Sequence, residues 1–281
     1  MAAVAPVPKE RAMDFADYLK LDAVSASGLK AMRKSPREYL HVITQGRKAT
    51  RAMGLGTGAH AAIFEPERFA REYVVWDGDR RGKDYSAFCE QHPGQVILKR
   101  GEYDLCTGMR DAARAHPVAG PLLSPPGEAE KVWRWVDEET GLPAKARTDW
   151  WRLGLLADLK TAADVDVRRF AAAAYRLGYH IQAAHYRAGL AANGIADVPP
   201  FTIIAVESSP PHDCAVFELD DDFLFAGEVE RADLMARVLA SRLTHLYPGR
   251  YPDVCPLSLP AWAASGPDDT LGVIMASGEV A

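Results

Sequence analysis

Residues 155–160 read L-L-A-D-L-K, a carboxylate and an ammonium set into a run otherwise apolar enough for a core strand. Side chains alternate faces along an extended strand, so Asp158 and Lys160 project to one side while Ala157 and Leu159 turn into the core. A charge in such a strand is costly to bury without a partner. Two strand-like segments precede it, residues 130–136 (E-K-V-W-R-W-V) and 143–150 (P-A-K-A-R-T-D-W), the second closed by Asp149. Glu139-Thr140-Gly141 and a turn at 152–154 separate the three, which predicts an antiparallel meander. Two carboxylates and an ammonium then meet on one surface. Carboxylates gathered this way repel unless a divalent cation neutralises them, and Mg²⁺ takes oxygen ligands while keeping several waters. That arrangement suits phosphodiester hydrolysis.

Helices are expected around the meander. Ser25 or Ser27 can cap one over Leu29 and Met32, and Ser35-Pro36 opens another through Tyr39. Residues 53–64 (M-G-L-G-T-G-A-H-A-A-I-F) form a Gly- and Ala-rich helix able to approach its neighbours closely before Pro66 ends it. Residues 76–86 read as a loop, followed by helices at 84–92 and 101–116. After the meander, Asp164 is the expected cap of a helix at 165–177 that Gly178 stops, and a second helix runs from Tyr179 to about 193. Residues 201–207 and 214–219 make a further hairpin, and Asp221 opens a long helix to about 243. The order implies one α/β domain with a mixed central sheet flanked by helices.

Composition narrows the function classes. The 281 residues are 48% hydrophobic, and no run approaches a membrane span, so a cytoplasmic protein without membrane contact is expected. Cys89, Cys106, Cys214 and Cys255 form no Cys-x-x-Cys pair, which reads as buried reduced thiols rather than a zinc ribbon or disulfide framework. A net charge of −5 argues against indiscriminate coating of nucleic acid. Phosphate contacts need only a local basic patch, for which Arg47, Lys48 and Arg51, or Arg80, Arg81 and Lys83, are candidates. Clusters of this kind are more often solvated loops.

Single residues have plain alternatives. His60 alone reads as an interior or surface histidine, although its small neighbours would let it approach a metal held by the meander. Asp149 and Asp158 could be turn residues, but Asp158 lies inside an apolar segment, where metal binding supplies a reason for its cost. Gln182 and Tyr186 are four apart, and Tyr179 three before Gln182, so one helix face carries all three. That stripe could hydrogen-bond the Lys160 ammonium or a DNA phosphate. The run G-L-G-T-G lacks the preceding strand and following Lys-Ser/Thr of a phosphate loop, and no G-x-S-x-G elbow occurs.

Taken in order, S-A-S-G-L-K with S-P-R-E-Y, G-T-G-A-H with F-E-P-E-R-F, D-E-E-T-G-L-P-A-K-A-R-T-D-W, and A-D-L-K-T-A with G-Y-H-I-Q-A-A-H-Y resemble the nuclease domain of the RecE-like exodeoxyribonuclease VIII family, PD-(D/E)XK nucleases close to the RecB-like branch. The resemblance implies the PD-(D/E)XK restriction-endonuclease-like fold, α/β with a mixed central β-sheet. Composition sets off an Ala/Pro-rich N-terminal arm (1–20) and a Pro-, Ala- and Gly-rich C-terminal tail (251–281) from the expected exonuclease domain (21–250), and the resemblance spans roughly residues 22 to 245.

By that resemblance, His60, Asp149, Asp158 and the Leu159 carbonyl are metal ligands, and Lys160 is the catalytic lysine. Gln182 and Tyr186 match the Q-x-x-x-Y helix motif and join Asp149, Asp158 and Lys160 as catalytic residues, with Glu130 as an additional acidic candidate. The implied cofactor is Mg²⁺, with Mn²⁺ able to substitute. No iron–sulfur cluster is expected, since Cys214 and Cys255 are isolated. The implied activity is degradation of linear double-stranded DNA from its ends, 5′ to 3′, leaving 3′ single strands for recombination. The implied partners are double-stranded DNA ends, further copies of the chain in a tetrameric ring, and a single-strand annealing protein. The alternatives are a non-catalytic DNA-end-binding scaffold and a structure-specific endonuclease.

Overall fold

Serines punctuate the start of the fold. In the computed structural model, which describes residues 13–46 and 50–259, α1 (Phe15–Lys20) leads to α2 (Ala26–Lys34), α3 (Pro36–Gln45) and α4 (Arg51–Phe64). Ser25 caps α2 by accepting from the Gly28 amide at 3.2 Å. Ser35 accepts from Glu38 at 3.0 Å, and Pro36 takes the first position of α3, where no N–H is needed. Within the stretch expected to be an arm, α1 is helical. Its carbonyl end is held by Lys145, whose Nζ donates to the carbonyls of Tyr18 and Leu21, each at 2.8 Å.

Next come α5 (Pro66–Glu72), β1 (Tyr73–Trp76), α6 (Lys83–Gln91), β2 (Val96–Lys99), α7 (Arg100–Ala115) and α8 (Ala119–Leu122). The parallel pair β1 and β2 was not expected, because four-residue strands are too short for alternation to show. The main sheet has the order β3 (Glu128–Val136), β4 (Pro143–Arg152), β5 (Leu155–Ala162), β6 (Phe201–Glu207), β7 (Cys214–Glu218). All neighbours are antiparallel except β5 and β6, joined through α9 (Val167–Arg176) and α10 (Tyr179–Ala192). The long α11 (Asp221–Thr244) closes the fold. Asp166, not Asp164, caps α9, accepting from the amides of Arg168 and Arg169, while Asp164 accepts from the Asp166 amide at 2.7 Å.

Helices cover both faces of the sheet. Ala157 and Leu159 of β5 pack with Ala59 and Ile63 of α4 and Met109 of α7, whereas Leu156 packs with Phe170, Ala183 and Leu190 on the opposite face. The face shared by Asp158 and Lys160 is therefore not a free surface. It lies beneath α10, and Asp158 is only 1% exposed. Close packing of α4 has a visible cause: a Cβ at Gly58 would sit 2.8 Å from the Cys106 sulfur of α7. The four cysteines are free, but only Cys106 is buried and Cys255 is exposed, contrary to the expectation of uniformly buried thiols.

His185 of α10 ties this helix to β4. It is fully buried against Trp135, and its Nε2–H donates to the Lys145 carbonyl at 3.1 Å. Burial is the main reason its pKa falls to about 3. The unfolded chain takes up this proton near pH ~6.5 while the folded chain refuses it, so stability is full above that pH and declines as pH falls below it. Denaturant titrations between about pH 7 and about pH 4.5 should show a smaller acid-induced loss of stability in His185→Gln than in the wild type.

Candidate active site

The pairing of β4 with β5 runs over three rungs, Trp150↔Ala157, Trp151↔Leu156 and Arg152↔Leu155, and then stops. The next rung would set Asp149 opposite Asp158, and like charges directly opposite destabilise a ladder. Asp149 instead turns its carboxylate to the backbone of β5, where Oδ2 accepts from the Leu159 amide at 2.9 Å. A side chain thus stands in for the missing carbonyl. On its other edge, β5 pairs along its length with β6.

On the other flank of β4, Glu130 occupies the rung opposite Asp149, between the pairs Ala129↔Trp150 and Lys131↔Thr148. Its φ is 58°, in the left-handed region, which costs a residue bearing a Cβ about 1–3 kcal/mol. Its carboxylate pairs with Arg147. From α4, His60 brings Nδ1 to 3.5 Å from Asp149 Oδ2. One ligating atom from each of His60, Glu130 and Asp149 falls within 4.8 Å of the other two.

This donor set fits a hard or borderline divalent cation, two carboxylate oxygens and one imidazole nitrogen. The electrostatics agree. Burial, and then the Asp158 charge, push the Asp149 carboxyl well above the ordinary carboxylate range. Burial lowers the His60 pKa, leaving a neutral ring with a lone pair to offer. A bound cation relieves both conditions.

Asp158 lies beside the triad rather than in it. Its Oδ1 accepts from Gln182 Nε2 at 2.6 Å, and its Oδ2 pairs with the Lys160 ammonium. Glu130, expected only as an additional acidic residue, is the third member of the compact group. Burial works against the charge on Lys160, but the Asp158 and Asp149 carboxylates outweigh it, and the Lys160 pKa is raised. Gln182 Oε1 accepts from Lys160 at 3.4 Å. Burial also holds the Tyr186 hydroxyl well above its usual range, as a neutral phenol. The Leu159 backbone meets the His60 ring as well as the Asp149 carboxylate.

A groove of about 510 Å³ opens over His60, Glu130, Asp149, Gln182 and Tyr186, with Lys30, Arg68 and Arg147 as its cations. Arg80, Arg81 and Lys83 do not line it. Arg80 is committed to Glu102 at 2.6 Å and to the Ile97 carbonyl, Arg81 pairs with Asp79, and Lys83 is an exposed residue that opens α6. Arg47 and Lys48 lie outside the described residues, as does the side chain of Arg51. The groove cations come from separate elements, so no local basic run announces them. Among the described residues, no helix is long and apolar enough to cross a membrane.

Comparison with known proteins agrees with this geometry. The profile of a PDDEXK-like domain of unknown function (DUF3799) matches residues 25–255. A crystal structure of a "putative exonuclease" from Eubacterium rectale superposes with a TM-score of 0.60 at 15% identity, covering 92% of this chain and 100% of that one. At that identity the likeness speaks for the fold. No protein of curated function matches the sequence.

Crowded carboxylates, Asp158 buried and Asp149 and Glu130 partly so, make the site costly in the absence of a cation. A carboxyl whose folded pKa lies above its unfolded value destabilises the fold once pH rises past about 3.9. Asp149→Asn should therefore melt higher than wild type in chelator at about pH 7, with the gap shrinking toward about pH 4, as read by scanning calorimetry. The same variant should bind Mn²⁺ at least about tenfold more weakly by titration calorimetry, the lower bound even for outer-shell partners.

Proposed function

The chain belongs to the PDDEXK-like domain family, and from that membership we propose that it is a metal-dependent nuclease that hydrolyses linear double-stranded DNA from its ends. One observation carries the reading: the His60, Glu130 and Asp149 donors converge at the strand fork beside the Asp158–Lys160 pair. A divalent cation held by those donors, with Asp158 and the Leu159 carbonyl adjoining, would neutralise charge on the scissile phosphate and lower the pKa of a bound water. Mg²⁺ is the proposed ion, and the imidazole nitrogen favours Mn²⁺ as a substitute.

The remaining steps belong to the side chains. Lys160, kept protonated by its carboxylate neighbours, orients the attacking water and offsets negative charge that builds on the phosphoryl oxygens. Gln182 braces both members of the Asp158–Lys160 pair. Tyr186 presents a neutral hydroxyl to the groove. Arg147 and Arg68 line the approach, where positive charge positions a phosphate backbone without reading sequence. The resemblance to RecE-like nucleases supports the finer reading: 5′ to 3′ polarity, 3′ single strands as product, a tetrameric ring and a single-strand annealing partner.

Incubating the purified protein with blunt linear and closed circular duplex in Mg²⁺ tests this. Loss of the linear form alone is expected. Retarded but intact linear DNA would replace the reading with a DNA-end-binding scaffold, and nicked circles would replace it with a structure-specific endonuclease. Asp158→Ala should cut turnover by at least about 10³-fold, on the order of 4 kcal/mol of transition-state stabilisation, in a folded protein. Lys160→Ala should lose turnover while keeping its affinity for Mn²⁺, because the ammonium is not a ligand.

A further inference from the structure

Lys30 enters the site from α2, an element that supplies none of the proposed metal donors. Its Nζ donates to Gln182 Oε1 at 2.7 Å, shorter than the 3.4 Å bond from Lys160 to the same oxygen. Both ammonium groups lie over the Tyr179 ring, Lys30 at 5.2 Å and Lys160 at 4.7 Å from its centroid. Both ends of the Gln182 amide are engaged. Its oxygen serves two lysines, and its nitrogen donates to Asp158 Oδ1 at 2.6 Å. Lysines only donate and a carboxylate only accepts, so these partners allow one orientation of the amide.

Lys30 is itself held in place. Leu29 and Met32, which flank it on α2, are fully buried with Ile181 of α10. Its stem runs past Gly178, where a Cβ would come 3.3 Å from Lys30 Cγ and where φ is +71°. One glycine thus starts α10 and leaves room for the lysine.

We propose that Lys30 is a positioning residue that fixes the Gln182 amide, and through it the Asp158–Lys160 pair. The consequence for turnover rests on the nuclease reading above, while the geometry stands apart from it. Without the Lys30 ammonium, Gln182 loses its shorter bond, and its hold on Asp158 and Lys160 slackens. Lys30 acts on the pair through the amide, so removing either partner should cost the same interaction.

The test is a double-mutant cycle of Lys30→Met and Gln182→Met on linear duplex DNA, joined to an NMR measurement that needs no activity. Lys30→Met should lower kcat about 10- to 100-fold with KM nearly unchanged, and the double variant should be no worse than the poorer single one. Additive losses, or a raised KM at unchanged kcat, would overturn the inference in favour of direct contact with DNA. In ¹⁵N-labelled protein, the Gln182 side-chain amide pair, assigned by its disappearance in Gln182→Met, should shift in Lys30→Met. An unmoved pair overturns the inference whether or not the protein cuts DNA. A shifted pair in a protein inert toward DNA would remove the nuclease reading and leave the positioning role standing.

Discussion

The bond from the Leu159 amide to the Asp149 carboxylate holds the site open. Left without a partner, that buried N–H would cost about 1–3 kcal/mol, and only a carbonyl of β4 or a side chain could meet it. Because Asp149 meets it, β4 and β5 can part after three rungs without an orphaned donor at the branch. The parting creates the wedge into which His60 reaches from α4, while the other edge of β5 stays paired in parallel with β6 throughout. Metal donors, lysine and groove all follow from one side chain doing the work of a backbone carbonyl.

Around that branch the fold concentrates charge it could otherwise have left in water. Asp158 and Lys160 are a buried pair, an arrangement often no more stable than well-packed apolar residues would be. Asp149 and Glu130 add further carboxylates within reach, and Glu130 adds backbone strain. The compensation comes from the surroundings: β6 is buried from Phe201 to Val206, and α4 and α10 close the two faces. A rigid apolar frame tolerates a strained, self-repelling centre that no free strand would keep.

Residues whose meaning depends on local spacing were legible in the sequence. The alternation in L-L-A-D-L-K put Asp158 and Lys160 together, and the four-residue step put Gln182 and Tyr186 on one face of α10. The glycines and alanines of α4 announced a close approach, which the Gly58 contact with Cys106 displays. Properties set by distant chain were not legible. Nothing local says that α10 covers the Asp158 face, or that Arg147 and Arg68 rather than Arg80 and Arg81 line the groove. The short strands β1 and β2 and the helix α1 escaped because each is held by partners far along the chain, α1 by Lys145.

Glu130 shows how far a single backbone angle can reach. At φ 58° a glycine would be relaxed, yet a glycine has no side-chain oxygen to offer, so the position holds an acidic residue at a cost in backbone strain. Even or odd spacing from the Asp-x-Lys pair cannot locate such a residue, because two turns lie between β3 and β5. A search for an acidic residue at a strand kink, one rung across from the branching aspartate, would find it.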